Sequence, residues 1–296
     1  MKQPAYIIIL LWLACCVQAS AQSAPTSSPQ TASYSPGRPH ENQPQSGWRK
    51  LVRGIYLRAG VLLIAPLGRS DEVILSEVDG TARLAIDNGP IEGSYVELSS
   101  KLMPAMILGY QLPFLGRRFS LETILGLPFA LKMKAGGTLA DQSLAPTALG
   151  NVPTGIPPLG TELGEVTVLP PVLTAVYRMF AESPVRPYIG AGVSILVPLD
   201  AKITNPILTE VAQPRVELAP RWGWVLQAGL DINFYDSFWV VADCKYLGGI
   251  DITAHVKDIR VRTPNLPLYE TVSVGNNEVR LSANPIVAML GIGFNL

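Results

Sequence analysis

The stretch from Gly164 to Leu199, GEVTVLPPVLTAVYRMFAESPVRPYIGAGVSILVPL, decides the fold class. It predicts two long apolar-rich strands around one tight turn at 181–185, where Glu, Ser and Pro interrupt the apolar pattern. The first strand contains Pro170 and Pro171. Much of the remaining chain repeats this pattern, which predicts a protein built from consecutive antiparallel strands.

The composition narrows the class of protein. Of 296 residues, 48% are hydrophobic and 16% are charged, with 23 Lys+Arg against 23 Asp+Glu. This balance gives no reason to expect nucleic acid as a partner, because phosphate binders carry a basic excess. No run approaches the roughly 18–20 apolar residues that a membrane-spanning helix needs. Such an apolar chain is either a large soluble core or a membrane β-barrel, whose apolar residues occupy alternate positions.

The N-terminal segment has the features of an export signal. Residues 5–17 form an apolar run after a single lysine, and the small residues at 19–21 fit the cleavage rule of signal peptides. We therefore expect a signal peptide at 1–21. The alternatives are a short buried helix and a lipoprotein anchor at Cys15 or Cys16.

The segment after the signal predicts a disordered linker. Residues 22–47 are rich in Pro, Ser and Gln and cannot bury enough apolar area to fold, so we expect them to lie unfolded in the periplasm. Signal cleavage would leave Cys244 as the only cysteine, which excludes an intrachain disulfide and a multi-cysteine metal site. The remaining chain, 48–296, is the predicted barrel.

Alternation of apolar and polar residues predicts the strands, and it is clearest from 119 to 134. A helix would scatter the two sets around its circumference, whereas a strand separates them. There the odd-numbered residues from Phe119 to Met133 form the apolar face, and Glu122, Lys132 and Lys134 lie on the polar face. The same pattern predicts eight strands, at 51–65, 94–112, 119–134, 165–180, 186–199, 217–234, 238–257 and 277–296.

The connections between these strands alternate between short and long. Strict alternation is typical of an up-and-down barrel with turns at one rim and loops at the other. The predicted fold is therefore all-β, an eight-stranded antiparallel up-and-down transmembrane β-barrel. The short turns are 113–118, 181–185 and 235–237, and the long loops are roughly 67–93, 136–162, 203–217 and 257–277.

The aromatic residues give an independent indication. Many lie beside the short turns or the C-terminus, where they would form an interfacial girdle at one height. We expect Trp222, Trp224 and Tyr246 in the opposite girdle. The predicted short-turn girdle contains Tyr110, Phe114, Phe119, Tyr177, Phe180, Tyr188, Phe234, Tyr235, Phe238, Trp239 and Phe294.

Charged residues fix which face points inward. A charge facing lipid costs on the order of 2–4 kcal/mol near the midplane, so the polar face lines the lumen. We expect Arg58, Glu97, Lys101 and Glu122 to form a network that plugs or filters part of the interior. The candidate lumen-lining residues are Arg58, Gly60, Glu97, Lys101, Glu122, Lys132, Arg178, Arg186, Gly190, Gly192, Gln227, Asp231, Asp243 and Lys245.

Glycines on the inward face have two interpretations. They leave room for a narrow channel, or they relieve crowding and allow strong curvature of the barrel wall. The positions concerned are Gly60, Gly126, Gly190, Gly192, Gly229, Gly291 and Gly293.

Several motifs resemble the outer membrane protein W (OmpW) family. They are Leu169-Pro170-Pro171 followed by RPYIGAGVSI, Trp222-Gly223-Trp224 with VLQAGLDIN, and Asn284-Pro285-Ile286 before GIGFNL. The resemblance covers roughly Trp48 to Leu296. It implies an eight-stranded barrel in the outer membrane of a Gram-negative bacterium, with a narrow, largely hydrophobic lumen. It also implies uptake of small, often hydrophobic molecules or a receptor role at the cell surface.

Three functions follow as hypotheses. The first is a narrow channel for passive uptake of small hydrophobic molecules, because eight strands leave an interior mostly filled by side chains. The second is a cell-surface structural or interaction protein whose long loops bind extracellular ligands. The third, a lipid hydrolase or acyltransferase, needs a nucleophile with a base, and His255 near Thr253 is weak support, so we expect no enzyme and no catalytic residues.

Two further expectations concern bound cofactors and the strand pairing at Pro170 and Pro171. The sequence contains no phosphate loop, dinucleotide fingerprint, metal-spaced histidine cluster or EF-hand loop, so we expect no cofactor and no metal. Pro170 and Pro171 lack the N–H groups that a closed barrel requires. We therefore predict a local break in strand pairing there and a candidate lateral opening for apolar solutes, with outer-membrane lipid as the surrounding partner.

Overall fold

The structure, a computed structural model, describes residues 54–296 except 79–82, 84–86, 116–117, 149–150, 181, 236–237 and 267–269. The predicted signal peptide and linker lie outside the described residues, as does the start of the first predicted strand. In the described part of the chain, no helix is long and apolar enough to cross a membrane.

Strands dominate the described residues, which also contain two single-turn helices, α1 (Thr138–Asp141) and α2 (Pro206–Thr209). A 3-10 turn at Pro113–Leu115 lies in the first short connection. The strands are β1 (Ile55–Ala65), β2 (Ile74–Ser76), β3 (Gly89–Pro90), β4 (Ser94–Leu98), β5 (Lys101–Gln111), β6 (Phe119–Leu125), β7 (Phe129–Gly137), β8 (Thr147–Ala148), β9 (Val152–Pro153), β10 (Glu162–Leu169), β11 (Val172–Arg178), β12 (Val185–Ile203), β13 (Arg215–Leu218), β14 (Arg221–Tyr235), β15 (Phe238–Gly248), β16 (Asp251–Arg262), β17 (Thr271–Ser282) and β18 (Ile286–Asn295).

Eight of these strands close into one antiparallel barrel. Their order around the wall is β1, β5, β6, β11, β12, β14, β15 and β18. The ring closes because β18 pairs with β1, opposing Phe294 and Leu57, and β11 pairs with β12, opposing Val172 and Ser194. The predicted strand number and up-and-down order are confirmed.

On the long-loop side, the barrel wall continues as two sheets. One consists of β4, β7, β10 and the upper part of β12, and the other has the order β13, β16, β17, β2 and β3. Much of the four predicted long loops is therefore folded. The loop predicted at 257–277, for example, is the tip of a hairpin whose strands reach Arg262 and resume at Thr271.

Two predicted strands are interrupted, and the interruption reverses their faces. Leu125 points outward and is 40% exposed, yet Phe129, four residues later, points inward and is 8% exposed. The residues between them, 126–128, include a glycine and a proline and form no strand. Val96 likewise points inward, because the strand predicted at 94–112 breaks at 99–100. The predicted outward faces of 94–98 and 129–134 are therefore wrong.

The aromatic girdle at the short turns is present, except that Tyr188 and Trp239 do not belong to it. Phe180 and Tyr235 are 70% and 74% exposed on the outer surface. Tyr188 and Trp239 are buried in the lumen, because both lie on the inward parity of their strands. The side chain of Phe114 lies outside the described residues. At the other interface, Trp222 and Trp224 are exposed, and the ring centroid of Trp224 lies 5.3 Å from that of Tyr246.

Candidate functional site

A buried cluster of charged side chains fills the half of the lumen near the short turns. Arg58 lies close to the start of β1, Arg178 is the last residue of β11, and Glu122 lies near the start of β6. Because these three strand ends meet the same rim, their side chains converge. The cluster consists of Arg58, Glu122, Arg178, Asp231, Asp243 and Lys245, all at most 5% exposed.

Arg58 is the centre of this cluster. Its Nη2 donates to both carboxylate oxygens of Asp231, at 3.1 and 3.0 Å. Its Nη1 donates to Glu122 Oε2 at 3.0 Å and to the Tyr188 hydroxyl at 3.3 Å. The guanidinium also lies over the Tyr188 ring, 4.8 Å from its centroid. Arg58 therefore links β1 to β6, β12 and β14 across the lumen.

Arg178 binds the same two carboxylates from another side. Its Nη2 donates to Glu122 Oε1 at 3.1 Å, and its Nε donates to Asp231 Oδ2 at 3.3 Å. The remaining donors reach the Ser120 hydroxyl at 2.6 Å and the Tyr56 hydroxyl at 2.7 Å. Two cations and two carboxylates thus form a closed square of charge-assisted hydrogen bonds.

A second layer lies above this square, toward the long loops. Asp243 accepts hydrogen bonds from Tyr188 at 2.7 Å, from Gln227 at 2.6 Å and from the ammonium group of Lys245. Gln227 also donates to Glu122 at 2.9 Å. The six charged residues therefore carry three positive and three negative charges. Buried ions are costly unless they are paired and hydrogen-bonded, and this pairing makes the cluster a neutral plug.

Aromatic rings complete the plug by covering glycines. At Gly229 a Cβ atom would lie 2.3 Å from Cζ of Tyr188, and at Gly293 it would lie 2.3 Å from Cε2 of Trp239. The space left by these two glycines is therefore filled by rings and does not form a channel. Trp239 packs edge-on against Tyr56, with ring centroids 6.2 Å apart.

Other inward glycines allow close approach of the strands. A Cβ atom at Gly60 would lie 2.1 Å from the carbonyl oxygen of Leu290, and one at Gly192 would lie 2.0 Å from that of Leu173. Gly190 is also tight, because its Cβ would lie 3.0 Å from the carbonyl oxygen of Ala175. These positions fit the second interpretation of the inward glycines, relief of crowding in a strongly curved wall.

The half of the lumen near the long loops contains an apolar chamber with a volume of about 130 Å³. It extends from the barrel upward between the two sheets. Among the described residues, every side chain that lines it is apolar, and Phe129 is the only aromatic ring in this lining. The lining is Ile64, Pro66, Val96, Leu98, Phe129, Leu131, Met133, Leu163, Val166, Val168, Pro170, Leu196, Pro198, Ile203, Val216, Leu218, Ala219, Leu247, Ile250, Ile252, Ala254, Val256, Val279, Leu281, Ala283, Pro285 and Val287.

The barrel wall is broken beside this chamber. Pairing between β6 and β11 ends at Thr123 and Leu173, and pairing between β7 and β10 begins only at Phe129 and Val168. The predicted interruption at Pro170-Pro171 is thus present on this side. On the other side the main chain of β12 still reaches across, because Ile195 N donates to Pro171 O at 3.1 Å.

Proline placement explains why only one side is broken. Successive residues of an antiparallel strand direct their N–H and C=O groups to opposite neighbours. Since Pro171 faces β12, Pro170 faces β6 and β7 and has no N–H to donate to them. The facing segment contains Pro128, which also lacks a donor. Phe129 and Pro170 line the chamber, so the break lies directly at its wall.

Four predicted lumen-lining residues lie elsewhere. Glu97 and Lys132 are on the outer face of the upper sheet, because the breaks at 99–100 and 126–128 reverse the parity. There Glu97 lies 3.8 Å from Arg69, and Lys132 donates to Glu162 at 3.2 Å. Lys101 is exposed at the beginning of β5, and half-buried Arg186 donates to the carbonyl oxygen of Ser183 at the short-turn rim.

The network predicted for Arg58, Glu97, Lys101 and Glu122 is therefore wrong in two of its members. Arg178, Gln227 and Asp231 contact Arg58 or Glu122 instead. Asp243 joins them through Gln227, and Lys245 joins through Asp243. Residue alternation alone placed these on the inward face without pairing them. Alternation did not identify Tyr56, Tyr188 and Trp239 as parts of the plug. The signal that could have identified them is an aromatic residue on the inward face opposite a glycine on the neighbouring strand.

The family model described as OmpW family matches residues 92–296. The chain belongs to the OmpW family. It is therefore an outer-membrane β-barrel of the type found in Gram-negative bacteria. Proteins of this family are not enzymes in general.

Individual relatives of this OmpW-family chain are distant. "Outer membrane protein W" of Vibrio cholerae is 26% identical over 203 residues, which covers 68% of this chain and 76% of the relative. The "Dibenzothiophene metabolism operon protein PahQ" of Pseudomonas aeruginosa is 23% identical over 200 residues, 67% of this chain and 81% of the relative. The crystal structure of OprG from Pseudomonas aeruginosa superposes with a TM-score of 0.58 at 18% identity, covering 81% of this chain and 95% of OprG. That similarity concerns the fold.

Proposed function

We propose that this outer-membrane barrel mediates passive uptake of small hydrophobic molecules. A solute occupies the apolar chamber and leaves it sideways, through the break beside Pro170 and Pro171, into the lipid of the outer membrane. The charged cluster closes the axial route toward the periplasm. The lumen residues Arg58, Glu122, Arg178, Gln227, Asp231, Asp243 and Lys245 thus serve as a plug, and the solute does not pass between them.

The chamber is the observation that carries this proposal. The part of its lining that the structure describes offers no polar side chain, so a solute that needs hydrogen bonds would lose them on entering. An apolar cavity of about 150 Å³ is known to stay dry and to bind benzene. The volume of about 130 Å³ therefore suits a molecule of roughly that size, and larger solutes require side chains such as Met133 to move.

The charged cluster supports lateral instead of axial release. Opening it would separate paired ions inside the barrel, and removing one partner of a buried pair costs about 3–5 kcal/mol. An apolar solute offers nothing to replace those contacts. The break at 126–128 and 170–171, in contrast, already lacks wall hydrogen bonds. Release through it separates no charged pair.

The name of one relative agrees with this solute class. PahQ is named for a dibenzothiophene metabolism operon, and dibenzothiophene is an uncharged, apolar aromatic molecule. We extend to this chain only the chemical character of that molecule, not its identity.

A cell-surface interaction role is the second candidate, and one feature favours it. The outer face of β13, β16 and β17 carries exposed ion pairs, including Lys257 with Glu217 at 2.7 Å and Arg280 with Glu278 at 2.8 Å. Loop 136–162 does not project freely, because Leu139, Ile156 and Leu159 are buried in the core between the sheets. Charge reversals on the outer face therefore test partner binding more cleanly than deletion of that loop.

The N-terminal parts complete the proposal. Residues 1–21 direct export across the inner membrane and are removed, and residues 22–47 remain as a periplasmic linker. Mass spectrometry of the N-terminal peptide of the protein purified from outer membranes should show a start at Gln22, as glutamine or as its cyclised pyroglutamate form. A start at Met1 would contradict this part of the proposal and leave the transport hypothesis intact.

Uptake by intact Gram-negative cells tests the transport hypothesis. Uptake of radiolabelled toluene is measured by rapid filtration of cells with and without the protein. It gives the rate at which toluene crosses the outer membrane. We expect faster uptake with the protein and no step conductance from the purified protein in planar bilayers. Equal uptake with and without the protein, at matched amounts of folded barrel, would contradict the proposal.

A further inference from the structure

A second gap in the wall lies on the extracellular side, away from the break at Pro170. β12 pairs with β14 up to Leu196 and Arg221, and beyond that point it pairs with β10. β13, which lies next to the upper part of β12, pairs with β16. The two sheets therefore separate along a seam between residues 196–203 of β12 and residues 213–220, which we call the β12–β13 seam.

Prolines at both sides of the seam explain why it stays unpaired. Ile195 N points to Pro171 O, so the next residue, Leu196, faces β14. Pro198 faces the same way and has no N–H to offer. Pro220 separates β13 from β14 and also lacks a donor. The upper end of the seam is closed by Gln213, whose Nε2 donates to Ile203 O at 2.8 Å.

The apolar chamber reaches the surface at this seam. Leu196 and Pro198 line it from one side, and Leu218 and Ala219 line it from the other. Ala219 is exposed and the other three are half-buried, whereas Leu247 and Ile250, deeper in the lining, are 2% and 1% exposed. The lining of the chamber therefore includes an exposed residue, Ala219, at the unpaired seam.

The height of the seam relative to the membrane follows from its neighbours. Trp222 and Trp224 are 69% and 47% exposed and face outward directly below it, as interfacial aromatics do. Arg221 is exposed at the boundary, and Glu217 and Lys257 form an exposed ion pair above it. The lower end of the seam thus lies at the outer interface, and the rest lies above the lipid.

We infer that the β12–β13 seam is the mouth through which apolar solutes enter the chamber from the cell exterior. This inference rests on the proposed function. Solutes that collect at the outer interface meet an apolar opening at that height. They then leave through the separate break at 126–128 and 170–171. Two openings in different parts of the wall connect the chamber to the exterior and to the lipid without any passage along the barrel axis.

A reversible block at Ala219 tests the inference. The variant Ala219→Cys is made in a Cys244→Ala background, so that the introduced thiol is the only one in the mature chain. A bulky, charged thiosulfonate reagent then forms a disulfide with it, and dithiothreitol removes the adduct. Thr271→Cys in the same background is the matched control, because Thr271 is also exposed on the extracellular side but lies at the far tip of β17.

Toluene uptake by intact cells is measured before modification, after it and after reduction. We expect modification of Ala219→Cys to reduce uptake to that of cells lacking the protein, and reduction to restore it. Modified Thr271→Cys should transport as before. Unchanged uptake by fully modified Ala219→Cys would overturn the seam inference and leave the proposed function standing. If the unmodified protein fails to raise uptake, the proposed function falls and the seam inference falls with it.

Discussion

Arg58 and Asp231 form an ion pair across the lumen, in which Arg58 Nη2 lies 3.1 and 3.0 Å from the two carboxylate oxygens of Asp231. They lie 173 positions apart in the chain and on strands that are not neighbours in the wall. The pair therefore ties opposite walls of the barrel together. It also places the centre of the plug below the apolar chamber, which separates the axial route from the lateral one.

Replacing Arg58 should strongly destabilise the barrel. Arg58→Met leaves Glu122 and Asp231 with less compensating charge in a buried site, which we expect to cost about 3–5 kcal/mol of unfolding free energy. Urea unfolding in lipid vesicles measures the loss. Arg69→Met is the control, because Arg69 is exposed and its nearest carboxylate atom is 3.8 Å away, so its effect should stay within about 0.5 kcal/mol. Equal losses in the two variants would contradict a structural role for the plug.

Filling the space at Gly293 should also destabilise the barrel. In Gly293→Ala the new Cβ lies 2.3 Å from atoms of the Trp239 ring, and overpacking of this kind costs about 1–3 kcal/mol. Gly126→Ala is the matched control, since its nearest neighbour is Ile124 Cγ2 at 3.9 Å. The same unfolding measurement compares them. A tolerated Gly293→Ala would mean that the ring does not fill the glycine space.

Removing a ring from the plug should open an axial path for ions. Tyr188 is 1% exposed and covers Gly229, so Tyr188→Ala leaves a void through the charged layer that water can enter. We expect step conductance in planar bilayers for this variant and none for the parent protein. The control is Tyr177→Ala, whose ring packs on Phe119 with centroids 5.0 Å apart on the outer surface. Conductance of the parent protein comparable with that of Tyr188→Ala would refute the plug.

Filling the chamber should reduce uptake without affecting folding. Ala254→Phe adds a ring at a half-buried position of the chamber lining. We expect slower toluene uptake by intact cells, because the chamber volume of about 130 Å³ is largely consumed. Ala228→Phe places the same ring on the outer surface of β14 and should leave uptake unchanged. Undiminished uptake by Ala254→Phe would mean that solutes bypass the chamber.

The strand number and the charged cluster were accessible from the sequence for a common reason. Alternation is a local property, so it located the inward parity of residues such as Arg58, Glu122 and Asp231 wherever a strand runs without interruption. Pairing partners were not accessible, because Arg58 and Asp231 meet only after the wall closes. The resemblance to the OmpW family rested on short motifs that lie mainly in these uninterrupted strands.

The errors have a physical cause in the two strand breaks. Between Leu125 and Phe129 the alternating letters continue, but the backbone leaves the ladder and returns with the opposite face inward. Lys132 was therefore assigned to the lumen while it lies on the outside. The proline at 128 was a visible signal of interruption, whereas the reversal itself depends on the geometry of the turn. The chamber was missed for the same reason, since residues such as Leu131 and Met133 were expected to face outward.

The lateral route depends on missing wall hydrogen bonds, and restoring donors should close it. In the double variant Pro128→Val with Pro170→Val, both strands regain an N–H, and β-branched side chains favour extended backbone. Pro187→Val is the control, because Pro187 lies within the paired part of β12, opposite Leu230. Heat-modifiability on gels verifies equal amounts of folded barrel in the outer membrane.

Toluene uptake by intact cells producing these two variants tests the lateral route most directly. The account predicts that Pro128→Val with Pro170→Val slows uptake toward that of cells without the protein, while Pro187→Val transports like the parent. Parent-like uptake by the double variant, with hydrogen exchange showing newly protected amides at 128 and 170, would contradict release through the wall.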